Sequence, residues 1–150
     1  MKQLITQCFL LLAVLVSSGF TCADVTTQAD DIVGEWYLSD KSGIVSVYER
    51  DGLYFSKSFK MIDPLGPDEK PPKDVKNPDP NKRNRLLEDV EFLYDFKFDG
   101  TEEWYGEIYN TEDGRTYSGK IYLENPNTLV LRGYIGSPLF GRSVTWTRYR

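Results

Sequence analysis

The stretch VEFLYDFKFDGTEEWYGEIYNTEDGRTYSGKIYL, Val90 to Leu123, holds the pattern that decides the fold. Apolar and polar residues alternate through three runs, VEFLYDFKF, EEWYGEIYN and RTYSGKIYL. A period of two places alternate side chains on opposite faces of a strand. The runs are separated by Asp99-Gly100 and by Glu112-Asp113-Gly114, both turn-forming clusters. Connections this short join antiparallel neighbours.

Outward from that core the pattern continues on both sides. TLVLRGYI follows Asn125-Pro126-Asn127, and FGRSVTWTRY follows Gly136-Ser137-Pro138. Toward the N-terminus stand IVGEWYLS, then IVSVYE after Lys41-Ser42-Gly43, then LYFSKSFKM after the hairpin signal Asp51-Gly52. The sum is an all-β chain of eight strands. Even spacing and short turns predict an antiparallel up-and-down barrel, which also leaves no sheet edge open to aggregation.

Parity sorts the two faces. Ile32, Trp36 and Leu38 share one side of the first strand, and Phe92, Tyr94, Phe96 and Phe98 one side of the fourth. Trp104 and Ile108, then Tyr117, Ile121 and Leu123, then Leu129, Leu131 and Ile135 extend this apolar series. The opposite face carries Glu35, Asp95, Lys97, Glu107, Lys120, Glu124 and Arg132. Apolar inside and charged outside reverses the pattern of an outer-membrane barrel. Two positions resist sorting. In the second strand Val45 and Val47 oppose Ile44 and Tyr48, and in the third Lys57 shares parity with Phe55 and Phe59. A lysine there reaches the rim, pairs, or marks a bulge.

One polar interruption, about residues 62–89, separates the third and fourth strands. Within it DVKNPDPNKRNR, residues 74–85, has two prolines and no aromatic residue. Asn77 and Asp79 precede prolines and are biased toward extended backbone. Asp79-Pro80 matches an N-cap followed by proline at the first helical position, so a short helix over about Pro80 to Glu88 is expected. Three roles compete for this segment. It caps a barrel end with its arginines on local acids such as Asp74, Asp79, Glu88 or Asp89; it forms a lid over a ligand cavity; or Lys82, Arg83 and Arg85 form an anion site.

The first 23 residues read as an export signal, leaving residues 24–150 as one barrel domain. Lys2 supplies a positive start, Leu4 to Val16 an apolar run too short to span a bilayer comfortably, and Thr21 and Ala23 the small residues of a cleavage site. A lipoprotein anchored through Cys22 is the rival reading. Export implies a periplasmic or secreted protein with no integral membrane span after cleavage.

Both cysteines, Cys8 and Cys22, fall in the predicted signal, and the chain has no histidine. The usual general base, thiol nucleophile and zinc ligands are therefore missing. No phosphate-binding or dinucleotide glycine motif is present, no serine sits in a nucleophile turn, and no cofactor or metal is expected. Glu102 and Glu103 are adjacent and face opposite ways on a strand. Asp63, Asp68, Glu69 and Asp74 lack a calcium-binding spacing. The net charge of −5 disfavours nucleic acid and anionic lipid surfaces.

Gly34-Glu35-Trp36 at the start of the first strand resembles the G-x-W of lipocalins. That resemblance implies a tryptophan closing the barrel bottom under an arginine of the last strand. Arg148 in WTRYR is the natural partner for Trp36, with Arg142 as second choice. Four blocks then occur in order: DIVGEWY (31–37), DVKNPDPNKRNR (74–85), IYNTEDGRTYSGKIYL (108–123) and LRGYIGSPLFGRSVTWTR (131–148). Together they resemble the bacterial exported family called domain of unknown function 2147, which implies a lipocalin-like barrel and export and brings no catalytic residue. The chain departs from the family's usual pattern at Leu87-Glu88-Asp89, where a glycine is usual, and at Thr111, where proline is frequent.

A lipocalin-like barrel predicts non-catalytic binding of a small apolar or amphipathic ligand, with Phe92, Tyr94, Phe96, Trp104, Tyr117 and Ile121 lining the interior. The alternative is a closed barrel, filled by its own side chains, that acts as a structural or protein-interaction module. The oligomeric state has no signature in the sequence.

Overall fold

The computed structural model describes residues 26–62 and 69–150. The predicted export signal, Cys22 and the loop acids Asp63 and Asp68 lie outside the described residues. Eight strands close into a barrel in sequence order. They are β1 (Gly34–Tyr37), β2 (Gly43–Arg50), β3 (Leu53–Met61), β4 (Leu93–Phe98), β5 (Glu103–Asn110), β6 (Arg115–Asn125), β7 (Thr128–Tyr134) and β8 (Arg142–Arg148). All neighbours are antiparallel, and the barrel closes where Trp36 and Tyr37 of β1 pair with Arg148 and Thr147 of β8. Among the described residues no helix is long and apolar enough to cross a membrane.

The β2–β3 turn shows how local chemistry sets this topology. Asp51 and Gly52 both take positive φ, 56° and 79°. That is the conformation whose twist matches a two-residue hairpin, and Asp-Gly accommodates it at little cost. β1 is shorter than predicted. Ile32 belongs to a 3-10 turn, Ala29–Ile32, which lies across the closed end of the barrel. There Trp36 Nε1 donates to the Ile32 carbonyl at 2.9 Å, and Trp104 Nε1 to the Ala29 carbonyl at 2.9 Å. The Tyr54 hydroxyl donates to Asp30 at 2.7 Å. Each indole and phenol thus buries its ring and still satisfies its polar end.

The inward face of β2 is Val45 and Val47, both fully buried. Lys57 is exposed, and the β2–β3 register shifts so that Ser46 pairs with Lys57 while Val45 pairs with Phe59. The lysine therefore marks a bulge, one of the outcomes that its parity allowed.

A second bulge corrects the reading of β4. Asp95 has φ 51°, and the β4–β5 register shifts between Tyr94 and Lys97. The extra residue reverses the alternation. Leu93 and Phe96 are both buried inward, whereas Tyr94 pairs with Glu107 on the outer wall. Phe92, just before the strand, still packs on the core, its ring 6.0 Å from that of Trp146.

The crossover between β3 and β4 covers that outer wall. Instead of one helix it holds two 3-10 turns, Pro80–Lys82 and Leu87–Asp89. Asp79 caps the first turn, as its position before proline predicts, by accepting from Asn81 N at 2.9 Å. The base of the segment is tied by a Lys73↔Leu86 bridge and by Asp74 N donating to the Arg85 carbonyl at 3.1 Å.

The centre of the crossover is Asp74, which is 0% exposed. One carboxylate oxygen accepts from the Tyr109 hydroxyl at 2.7 Å; the other accepts from Asn77 Nδ2 at 2.8 Å and from Arg85 Nη2 at 2.9 Å. Burial alone pushes this carboxyl up, but the hydrogen bonds and the Arg85 charge outweigh it and hold Asp74 below the usual range. The same pairing pushes the Tyr109 phenol, already raised by burial, to about 12.

Candidate functional site

Side chains entering the barrel form rows that follow the strand register. One row is Phe98–Trp104–Ile121–Leu131–Val144. The row beside it contains almost no side chains: Gly106 pairs with Gly119, Gly119 with Gly133, and Gly133 with Arg142. Three adjacent glycines remove the filling from one level of the barrel.

Phe96 fills most of that gap. A Cβ on Gly106 would fall 2.6 Å from Phe96 Cδ2, and one on Gly119 only 2.4 Å from Phe96 Cζ. The ring therefore lies on two of the glycines. The third is left open, because a Cβ on Gly133 would meet nothing nearer than Ile108 Cδ1, at 3.6 Å. Above this point the barrel opens into a cleft of about 590 Å³. Its apolar walls are Ile108, Leu131 and Val144 with Tyr117 and Phe140, and its polar groups include Asn110, Asp113 and Arg142. This volume lies within the roughly 300–1,000 Å³ of small-molecule sites.

The β7–β8 connection borders the rim. Ser137 caps a 3-10 turn, Pro138–Phe140, and Arg132 grips it from outside. Arg132 Nε donates to the Pro138 carbonyl at 2.6 Å, and Nη1 to Ser143 Oγ at 2.9 Å. The turn thereby presents Leu139 and Phe140 with 83% and 86% of their surface exposed. Ile135, expected inside, lies past the end of β7 and is also exposed at this rim.

The residues expected to line a ligand separate into three groups. Phe96, Trp104 and Ile121 are fully buried filling beneath the cleft, with Phe92 packed against the same core. Tyr94 stands on the outer wall, where burial raises its phenol and the Arg85 charge opposes that shift. Only Tyr117 of the six lines the cleft, and its hydroxyl donates to Asp113. Of the loop cations, Arg85 is taken up by Asp74, Arg83 Nε donates to the Asn77 carbonyl at 2.7 Å, and Lys82 is exposed. Sequence reasoning missed Gly133, Val144 and Arg142 as lining. The signal was present, since Gly106, Gly119 and Gly133 each share parity with the inward residues two positions away.

At the closed end the Arg148 guanidinium carbon lies 4.1 Å from the Trp36 ring centroid. Its Nη2 donates to the Asp31 carbonyl at 2.6 Å, Nη1 to Val33 at 3.1 Å and Nε to Pro126 at 2.7 Å. The G-x-W glycine makes room for it: a Cβ on Gly34, whose φ is 133°, would fall 3.0 Å from Arg148 Nη1. These contacts join the 3-10 turn, β1 and β8 into a floor.

Residues 34–148 match the family model described as "Uncharacterized protein conserved in bacteria (DUF2147)". No curated protein matches the chain. A solved structure described as "Protein HP1028 from the human pathogen Helicobacter pylori belongs to the lipocalin family" is similar, at 27% identity and a TM-score of 0.68. The similarity covers 79% of this chain and 82% of that one.

Proposed function

The chain belongs to the DUF2147 family and has a lipocalin-like barrel, and from that premise we propose that it binds a small, partly apolar molecule without catalysing its conversion. The observation that carries this reading is the apolar cleft above Gly133, where the glycine row leaves the barrel unfilled. The ligand enters at the mouth and lies against Ile108, Leu131, Gly133 and Val144, above the buried Phe96, so it occupies the upper part of the barrel and not its whole interior. We propose also that the protein works outside the cytoplasm after removal of residues 1–23. The apolar run and small-residue site in that segment support this, and the mass of the exported protein tests it.

Native mass spectrometry of the exported protein tests the binding. The expected result is a recurrent bound mass that is lost in Gly133→Val, whose added methyls enter the cleft from a position with room for a Cβ. A clean ligand-free mass for the unaltered protein overturns the reading. The exposed Leu139 and Phe140 favour a second reading, a protein-interaction module. A stable partner captured without ligand, and lost on changing these two residues, supports it.

A further inference from the structure

We infer that the mouth takes an amphiphile with an oxyanion head, a carboxylate or phosphate ester, held by Arg142 while its apolar part lies over Gly133 between Ile108, Leu131 and Val144. This rests on the proposal that the mouth is a ligand site.

The argument begins with what the other arginines do. Arg85 is paired with Asp74, Arg150 with Glu35 and Arg50 with Glu91. Arg148, Arg132 and Arg83 donate to backbone carbonyls, and Arg115 acts on Asp113 and on the Tyr117 hydroxyl beside the same mouth. Arg142 differs: among the described residues no carboxylate lies within ion-pair distance of it. Its place in the fold is also particular. It is the register partner of Gly133, so it belongs to the inward row and borders the open cleft. Its neighbour across the ladder contributes no side chain to shield or pair it.

The acid that lines the cleft is already engaged. Asp113 accepts from the Tyr117 hydroxyl through one oxygen and from Arg115 N at 3.0 Å through the other. The mouth therefore offers an apolar wall, an occupied acid and a free guanidinium. A guanidinium presents parallel N–H donors that fit carboxylate and phosphate oxygens two at a time. An acidic chain with a net charge of −5 disfavours anions generally, so anion preference at this point must come from the local cation.

Isothermal titration with four probes of one chain length, dodecanoate, dodecyl phosphate, dodecanol and dodecylamine, each below its micelle concentration, tests the inference. An anionic probe should bind about tenfold or more tighter than dodecanol, the scale of a charge-assisted hydrogen bond. The amine should gain nothing over dodecanol. In Arg142→Gln the anions and dodecanol should bind alike, whereas Arg142→Lys should retain part of the preference. The stronger of the two anions identifies the head group. If dodecanol binds as tightly as both anions, and Gly133→Val abolishes its binding, the anion assignment fails while the cleft remains a ligand site. If no probe binds, the assignment and the cleft reading fail together.

Discussion

Replacing Arg148 by alanine removes the clasp of the closed barrel end. The side chain donates to three carbonyls and covers the Trp36 ring at 4.1 Å. The bond to Pro126 is exposed, and water replaces it at little net cost. The bonds to Asp31 and Val33 are partly buried, and a charged donor there contributes about 1.5 kcal/mol each. The cation over the indole adds about 1 kcal/mol. The expected loss is therefore about 3–4 kcal/mol, which lowers the melting temperature by roughly 10–15 °C for a domain of this size. Equilibrium urea denaturation followed by far-ultraviolet circular dichroism measures it. Arg148→Lys keeps a cation near Trp36 but cannot reach three carbonyls, so it should lose about half as much. A loss below about 1 kcal/mol for the alanine variant would refute the clasp.

Three further changes probe the crossover, the glycine row and the rim. Asp74→Asn removes the anion that Tyr109, Asn77 and Arg85 share, and should cost about 2–3 kcal/mol in urea denaturation, below the full value for a buried pair because Arg85 is partly exposed. Because the folded-state pKa of Asp74 is depressed, its stabilisation is complete above the unfolded value of about 4 and is lost as pH falls through the lower folded value; the asparagine variant should show a flatter acid limb. Gly119→Ala places a methyl against Phe96 and Ile108 and should destabilise by about 1–3 kcal/mol, and combining it with Phe96→Leu should cost less than the two separate losses together. Leu139→Ser with Phe140→Ser should leave stability within about 0.5 kcal/mol, because both residues are already in solvent; a larger thermal shift would show that the rim contributes to the fold.

The barrel was legible because its signals are local. Each strand carries period-two alternation and each turn its own Gly, Asn, Asp or Pro, so the strands and their order follow without knowledge of distant contacts. The outward position of Tyr94 has a definite physical cause. A bulge is a one-residue insertion with no strong sequence mark, and it exchanges inside for outside over the rest of the strand. Asp95 carries no glycine-like warning, so alternation alone predicts Tyr94 inside. The crossover departs from the expected single helix for a different reason. Asp79-Pro80 encodes the start of a turn, but the segment's direction depends on Asp74, Asn77 and Arg85 meeting Tyr109 from another strand. No window of the sequence contains all four partners in one element.

The site follows from a competition that alternation alone does not resolve. Inward aromatic residues tend to fill an eight-stranded barrel, and here Trp36, Trp104, Phe96 and Trp146 do fill its lower part. Three paired glycines work against this by emptying one level. The outcome depends on how far Phe96 reaches, and its reach depends on the Asp95 bulge that turns it inward over Gly106. The ring ends over Gly119, so the row stays open at Gly133 beside Arg142. The bulge that defeats the parity reading of Tyr94 therefore also sets the depth of the cleft. For this reason shortening Phe96 should deepen the ligand site, whereas enlarging Gly133 should close it.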